Sequence, residues 1–362
     1  MATEALDIRP TDIVIAVMGV TGSGKSTFIS HFADGVTIGH TLEACTSNVG
    51  IYQCAYNDKT TVFFVDTPGF DDTYRSDTDI LREVADWLSR AYANKIQLTG
   101  IIYLHRILDV RLGGSAMRNL RMFKKLCGDN ALASVVLATT WWSGVDEDTG
   151  NEREKQLKMK PDFWAGMISK GSKVFRQDSD EISARTIVDY LIQRKRPVVL
   201  NIQQEMVNNK MTLDQTAAGS EVGTLLIQQR KEFEKRLKEI QADLRQALKE
   251  KDSEYQEELK EYRKQTEEKI RKAEENRVKL QTNWEDLRQQ RDAELLKERE
   301  QLQEQTRLNM KRLAESEIQL RLMKAQHASD MQKQKLEFQL LQEKNERARL
   351  QKKLDAAKCV VM

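Results

Sequence analysis

The chain has 362 residues, with 58 Lys and Arg against 56 Asp and Glu and a formal net charge of +2. So small a balance gives no electrostatic case for a nucleic-acid partner, and the length allows one sizeable domain plus a second element. The four cysteines, Cys45, Cys54, Cys127 and Cys359, form no CxxC pair, which argues against a metal or disulfide framework and fits a reducing compartment.

Residues 1–11 read as a polar tail. "MATEALDIRPTD" is acidic and is not a signal peptide, and Ala2 stands where myristoylation needs glycine. No apolar run approaches the roughly 20 residues of a spanning helix. The expectation is a cytoplasmic protein unless its C-terminus attaches it to a membrane.

From residue 12 apolar runs alternate with amphipathic stretches. "DIVIAVMG" (12–19), "TTVFFVDTPG" (60–69), "GIIYLH" (100–105) and "LASVVLATT" (132–140) predict buried strands. Ile80, Leu81, Val84, Trp87 and Leu88 fall at helical spacing, as do Leu120, Phe123, Lys124 and Leu126. Ile187, Val188, Leu191 and Ile192 follow, with Ser183 as the expected cap. The alternation predicts an α/β domain over 12–200, a mostly parallel sheet with helices on both faces.

"GVTGSGKST" (19–27) fits G-x-x-x-x-G-K-[ST] at a strand-to-helix junction. Gly19, Gly22 and Gly24, with Ser23 and Thr27, let backbone N–H groups curl around phosphates, and the helix start adds its positive end. Lys25 would reach the β- and γ-phosphates, and Ser26 would ligate Mg2+. A second motif, "DTPG", puts Asp66 at a strand end to hold Mg2+ through water and Gly69 where its N–H meets the γ-phosphate. In order and about 40 residues apart, the two predict a P-loop NTPase G domain of the GTPase kind, using GTP/GDP and Mg2+. Between them, 35–50 is placed as the first switch, with Thr46 expected over the metal and Thr37 and Thr41 as alternatives.

Two departures stand out. Phe70 occupies the position where many GTPases carry a water-orienting Gln, which predicts slow turnover. Where a guanine-reading Asn/Thr-Lys-x-Asp belongs, the chain reads "TTWW". Trp142 offers only a donor there; Trp141 or Trp142 could stack on a purine, and Thr139 or Thr140 could touch its edge.

The segments "GVTGSGKST", "DTPGFDD", "GIIYLHRILDVRLGG" and "LATTWW" resemble the paraseptin branch of GTPases, which holds the GIMAP (AIG-type) GTPases, the Toc chloroplast receptors and the septins. The chain is most similar to fungal, AIG-like members over about residues 12–195. The resemblance implies a G domain that dimerises across its nucleotide face, with low intrinsic turnover. It further implies an arginine offered to the neighbour's nucleotide, for which Arg111 is the nearest counterpart and Arg106 the next. His105 is expected to be a packed structural residue. Relatives hold the base with a later loop, matched here by 173–180 with Arg176 and Gln177.

From Thr224 there is neither Gly nor Pro, and strong helix formers dominate. Residues 201–223 read as a linker and 224–355 as a helical coiled coil. Phe233, Leu237, Ile240 and Leu244, then Leu248, Tyr255, Leu259 and Tyr262, trace heptads with a stutter. Seam positions such as Asp252, Thr266 and Asn276 are polar, and folding back onto the first domain is an alternative. The tail, 356–362, ends "KCVVM", a C-a-a-X box that predicts farnesylation of Cys359. Lys352, Lys353 and Lys358 supply a thin basic patch beside it, since one lipid chain holds only marginally.

The expected activity is a slow GTPase that pairs with itself through G domain and coiled coil, acts in assembly at a membrane face, and engages a further protein. Two other readings remain open. One is a nucleotide-binding scaffold without turnover; the other is a P-loop ATPase with a coiled-coil arm.

Overall fold

A computed structural model describes residues 8–9, 12–36, 49–57, 60–72, 74–110, 113–178, 180–194, 196–250, 253–325 and 330–360, with the side chains of 249–250, 323–325, 330–331 and 355–360 outside that description. The chain divides into two compact units. One is Ile8–Leu287; the other takes in Arg288–Met362.

The first unit is built on six strands: β1 (Ile13–Gly19), β2 (Gly50–Asn57), β3 (Thr60–Asp66), β4 (Gly100–Arg106), β5 (Val135–Thr140) and β6 (Lys173–Arg176). Their order across the sheet is β2-β3-β1-β4-β5-β6. Every pairing is parallel except β2 with β3. Parallel strands covered on both faces need uninterrupted apolar sequence. Val14–Met18, Val62–Val65 and Val135–Ala138 supply it, each residue at most 4% exposed.

Helices α1 (Lys25–Ser30), α2 (Asp77–Ala93), α3 (Gly114–Cys127), α4 (Glu147–Met159), the single turn α5 (Gly166–Ile168) and α6 (Glu181–Arg194) connect the strands. The apolar positions anticipated on α2 point inward: Ile80, Leu81, Val84 and Leu88 are all buried. Ser76 caps this helix by accepting the Asp79 N–H at 3.1 Å.

Several local features differ from the sequence expectation. β2 is a half-exposed edge strand whose polar Gln53 and Asn57 hid its period, and β6 is only four residues long. Residues 132–134 belong to a 3-10 turn, so the strand begins at Val135. Helix α6 starts at Glu181, and the Ser183 N–H donates to Asp180 Oδ1 at 2.7 Å. Asp180 therefore does the capping expected of Ser183.

Beyond α6, the turn α7 (Asn201–Gln203) fastens the chain to α2, where buried Gln203 donates Nε2 to the Leu88 carbonyl at 2.9 Å. Helix α8 (Ala217–Glu250) then begins within the segment expected as a linker. Ala218, Val222 and Leu226, four residues apart, are buried. Glu221 accepts from Arg121 and Lys125 of α3 at 2.8 and 2.7 Å.

Helix α9 (Ser253–Leu280) runs back along α8, pairing Glu274 with Arg230 and setting Lys269 over Phe233. Their interface buries Ile240, Ala247 and Leu259 beside Leu244, whereas Leu248, Tyr255 and Tyr262 are exposed. The heptad reading placed these three in the seam with Ile240, Leu244 and Leu259; the antiparallel return buries Ile240 and Leu259 beside Leu244 and leaves the other three out. The hairpin rests on α2 as well. Lys279 Nζ reaches Asp79 Oδ1 at 2.9 Å, and Ser76 Oγ lies 3.2 Å from Asn276 Oδ1.

In the second unit, most of α10 (Trp284–Ala325) lies alongside α11 (Asp330–Val360). Ser316 donates to Glu343, and Lys344 pairs with Glu317 at 3.6 Å. No helix among the described residues is long and apolar enough to cross a membrane.

Leu280 ends α9 fully buried, while the Thr282 carbonyl just beyond it accepts the Leu213 N–H at 2.7 Å. Leu280→Ala is expected to cost about 2–5 kcal/mol through the cavity it leaves. Urea unfolding of the whole chain checks this, with a lowered midpoint as the expected outcome.

Candidate nucleotide site

The site grows from the C-terminal end of β1. Gly22 and Gly24 adopt φ values of 76° and 90°, which L side chains resist. A Cβ on Gly19 would lie 2.5 Å from the Leu104 carbonyl oxygen and 2.7 Å from Ser23 Oγ. The glycines thus allow a tight turn laid against the end of β4, with Ser23 buried inside it and Gly22 and Thr27 exposed.

Lys25, the first residue of α1, is buried. Its Nζ donates to the carbonyls of Gly19 at 3.3 Å and Val20 at 3.1 Å. Burial pushes its ammonium down to about 8, against the pull of Asp66 and Asp72. Two carbonyl contacts do not replace full hydration, so an arriving anion would restore the charge.

Asp66 closes β3 opposite Val17 of β1, almost wholly buried, and accepts from Ser26 Oγ at 2.8 Å. Two motifs separated by 40 residues therefore meet at one point. A hydroxyl and a carboxylate there suit a hard divalent cation that takes its remaining oxygens from phosphates and water. Among the described residues no group of three or more His, Cys, Asp and Glu could form an all-protein metal cage.

Gly69 is pressed against the first loop. A Cβ on it would fall 2.6 Å from both Thr21 N and Thr21 Cα. Thr21 in turn donates its N–H to the Phe70 carbonyl at 2.9 Å and its hydroxyl to the Gly69 carbonyl at 3.1 Å. Phe70 is 2% exposed and belongs to the core. It cannot orient a water molecule, as its chemistry already implied.

Thr46, with Thr37 and Thr41, and Arg111 lie outside the described residues. Arg106 ends β4, pairs with Asp109 at 3.1 Å, and brings Nη1 to 3.3 Å from where a Gly22 Cβ would stand. His105 is buried edge-on to Trp164, and burial pushes its imidazole down to about 4. It is a neutral, packed residue.

At the end of β5 the residues expected to meet a base take different positions. Thr139 is buried, with its carbonyl held by the Gln177 N–H at 2.8 Å. Thr140 donates its hydroxyl to the Ser23 carbonyl at 2.9 Å, tying β5 to the glycine loop. Trp142 donates Nε1 to Thr139, and the Arg176 guanidinium covers its ring at 4.1 Å. Arg176 lies on β6 and is engaged by Glu154 at 2.7 Å and Asn151 at 2.9 Å. Gln177 is buried, donating to the Asp180 carbonyl and accepting from Ser183.

Thr140, Ser23, Lys25, Ser26 and Asp66 are thus brought together, while Trp142 and Arg176 form a separate stack. Thr21 was missed by motif reading, because it fills a variable position of the glycine loop. Its contact with Gly69 spans 48 residues of chain and is visible only in the fold.

Residues 14–136 match the model of a family described as 50S ribosome-binding GTPase. No curated protein matches the chain. Among solved structures, Toc33 from Arabidopsis thaliana, in complex with Mg2+ and GMPPNP, is similar at 12% identity and a TM-score of 0.42, over 52% of this chain and 88% of that one. The G domain of the T. maritima FeoB iron transporter is similar at 14% identity and a TM-score of 0.32, over 51% of this chain and 99% of that one. The elongation factor SelB from Methanococcus maripaludis, with a GTP analogue, gives 11% and 0.35 over 55% and 36%. With a glycine loop after β1, Asp66 beside Ser26, and the family match across both, this chain carries a P-loop GTPase G domain followed by a long helical region.

Proposed function

We propose that the chain is a nucleotide-switched assembly protein that binds GTP and GDP with Mg2+ and hydrolyses GTP slowly. The observation that carries this is the meeting of Ser26 and Asp66 at 2.8 Å beside the buried Lys25. A bound Mg2+ would supply neutralisation of phosphate charge there. Ser26 and Asp66 would hold it, with Thr46 the candidate to close over it. Lys25 would exchange its two carbonyl partners for phosphate oxygens, and Gly69 would present its N–H. Backbone N–H groups of Gly22, Ser23, Gly24 and Thr27 would line the phosphates.

The buried Phe70 favours low turnover, since it leaves water to be oriented by some other group. Arg111 of a second copy is the candidate to stabilise charge on the phosphates during hydrolysis, so G domains would pair across the nucleotide face. The same Phe70 supports the second reading, a scaffold that binds nucleotide without turning it over. The hairpin of α8 and α9 on α2, directly after Asp66–Gly69, is a route by which the nucleotide state would reach the helical region. Farnesylated Cys359, near the end of α11, would hold the protein to a membrane face.

Multiple-turnover phosphate release by the full chain separates the two readings. Slow release that Lys25→Ala abolishes is expected for the enzyme; no release with retained GDP binding would favour the scaffold. A pH dependence follows from Lys25. Its free ammonium loses the proton around pH 8, whereas bound phosphate favours the charged form. GDP affinity should therefore fall as pH rises above about 8, toward the ordinary lysine value of 10.5, with proton uptake on binding. Calorimetry at pH 8.5 in two buffers of different ionisation heat should show that uptake, and Lys25→Met should lack it.

A further inference from the structure

We propose that Trp141, and not Trp142, is the wall on which the base of the bound nucleotide stacks. This rests on the nucleotide-switch reading above. Both rings follow the two threonines, so sequence leaves the choice open, but their surroundings separate them. Trp142, half-buried, is the more encumbered of the two rings. The Arg176 guanidinium occupies one face at 4.1 Å, and α4 crowds its edge so closely that a Cβ on Gly150 would come within 2.7 Å of the ring. Its indole N–H is taken by Thr139.

Trp141 is the first residue past β5 and is 46% exposed. Its indole Nε1 donates to the Gly22 carbonyl at 3.1 Å, at the exposed apex of the glycine loop. The ring thus stands at the lip of the phosphate cradle, anchored by one edge. Its backbone is in the left-handed region at φ 64°, where a bulky side chain is a genuine outlier. Such a conformation persists only where its surroundings fix it, and these positions cluster at ligand sites. The neighbouring residue Thr140 holds the Ser23 carbonyl, so two consecutive residues fix two consecutive loop carbonyls.

A flat ring next to a phosphate cradle suits the flat apolar face of a purine. Stacking on an aromatic side chain is worth about 1–3 kcal/mol per base, which is roughly 5- to 150-fold in affinity. The contribution is independent of which edge the base presents. Trp141 would therefore supply affinity for the base, while the glycine loop, Lys25 and Ser26 supply affinity for the phosphates.

Calorimetric titration of the full chain with GDP and with pyrophosphate, both in Mg2+, tests this. Trp141→Ala should weaken GDP at least fivefold and leave pyrophosphate within twofold. Trp141→Phe should keep most of the GDP affinity, and Trp142→Ala should change GDP less than Trp141→Ala does. Unchanged GDP affinity in Trp141→Ala would overturn the proposal. Equal losses for GDP and pyrophosphate would overturn it too, since Trp141 would then act on the loop through Gly22. Failure of the wild-type chain to bind either probe would instead sink the nucleotide reading beneath it.

Discussion

Parallel pairing of β1 with β3 on one side and β4 on the other brings Gly19, Asp66 and Leu104 to one edge of the sheet. Everything at the site depends on that register. A slip of one residue in β3 would turn Asp66 to the opposite face and remove the acceptor of Ser26. The register is strongly specified, because both strands are buried and any slip would move Phe64 or Ile15 out of its packing. Ligands of open α/β sheets collect outside the carboxyl ends of strands where strand order reverses. Here that crevice lies beside β1, with strands added on its β3 side and then on its β4 side.

Buried charge then decides what the crevice favours. Lys25 is desolvated and donates to two backbone carbonyls, and burial outweighs the pull of Asp66 and Asp72, so its proton is held weakly. Anions that restore the charge are favoured there. At the far end, Trp142, Arg176 and Glu154 are locked to one another. That arrangement stabilises the β5–β6 edge, where Arg176 and Lys158 hold Glu154 below the usual carboxylate range despite its burial.

The central strands and the phosphate motifs were legible because they obey strict local rules: continuous apolar runs for two-sided burial, and glycines at the positive-φ positions of the loop after β1. β2 and β6 were not, since an edge strand with polar positions and a four-residue strand carry little period. Arg176 looked like a loop residue for the same reason, and only the fold shows its guanidinium spent on Glu154 and Asn151. The pattern of the helical region gave its secondary structure but not its pairing. Leu248, Tyr255 and Tyr262 fit the same heptad seam as Ile240 and Leu259, yet the return of α9 along α8 buries Ile240, Ala247 and Leu259 and leaves those three exposed. Periodicity fixes which residues share a face; it does not choose the partner of that face. The choice between the two tryptophans was likewise invisible, because it depends on Gly150 and Arg176, residues brought near only by the fold.

The account turns on Ser26 and Asp66 acting as one metal-dependent triphosphate site. Titration of the full chain with GMPPNP, in Mg2+ and in EDTA, tests this most directly when wild type and Ser26→Ala are compared. The account predicts that Mg2+ tightens GMPPNP binding at least tenfold in wild type, and that Ser26→Ala loses most of that gain. Equal affinity with and without Mg2+, or the same gain in both proteins, would contradict it.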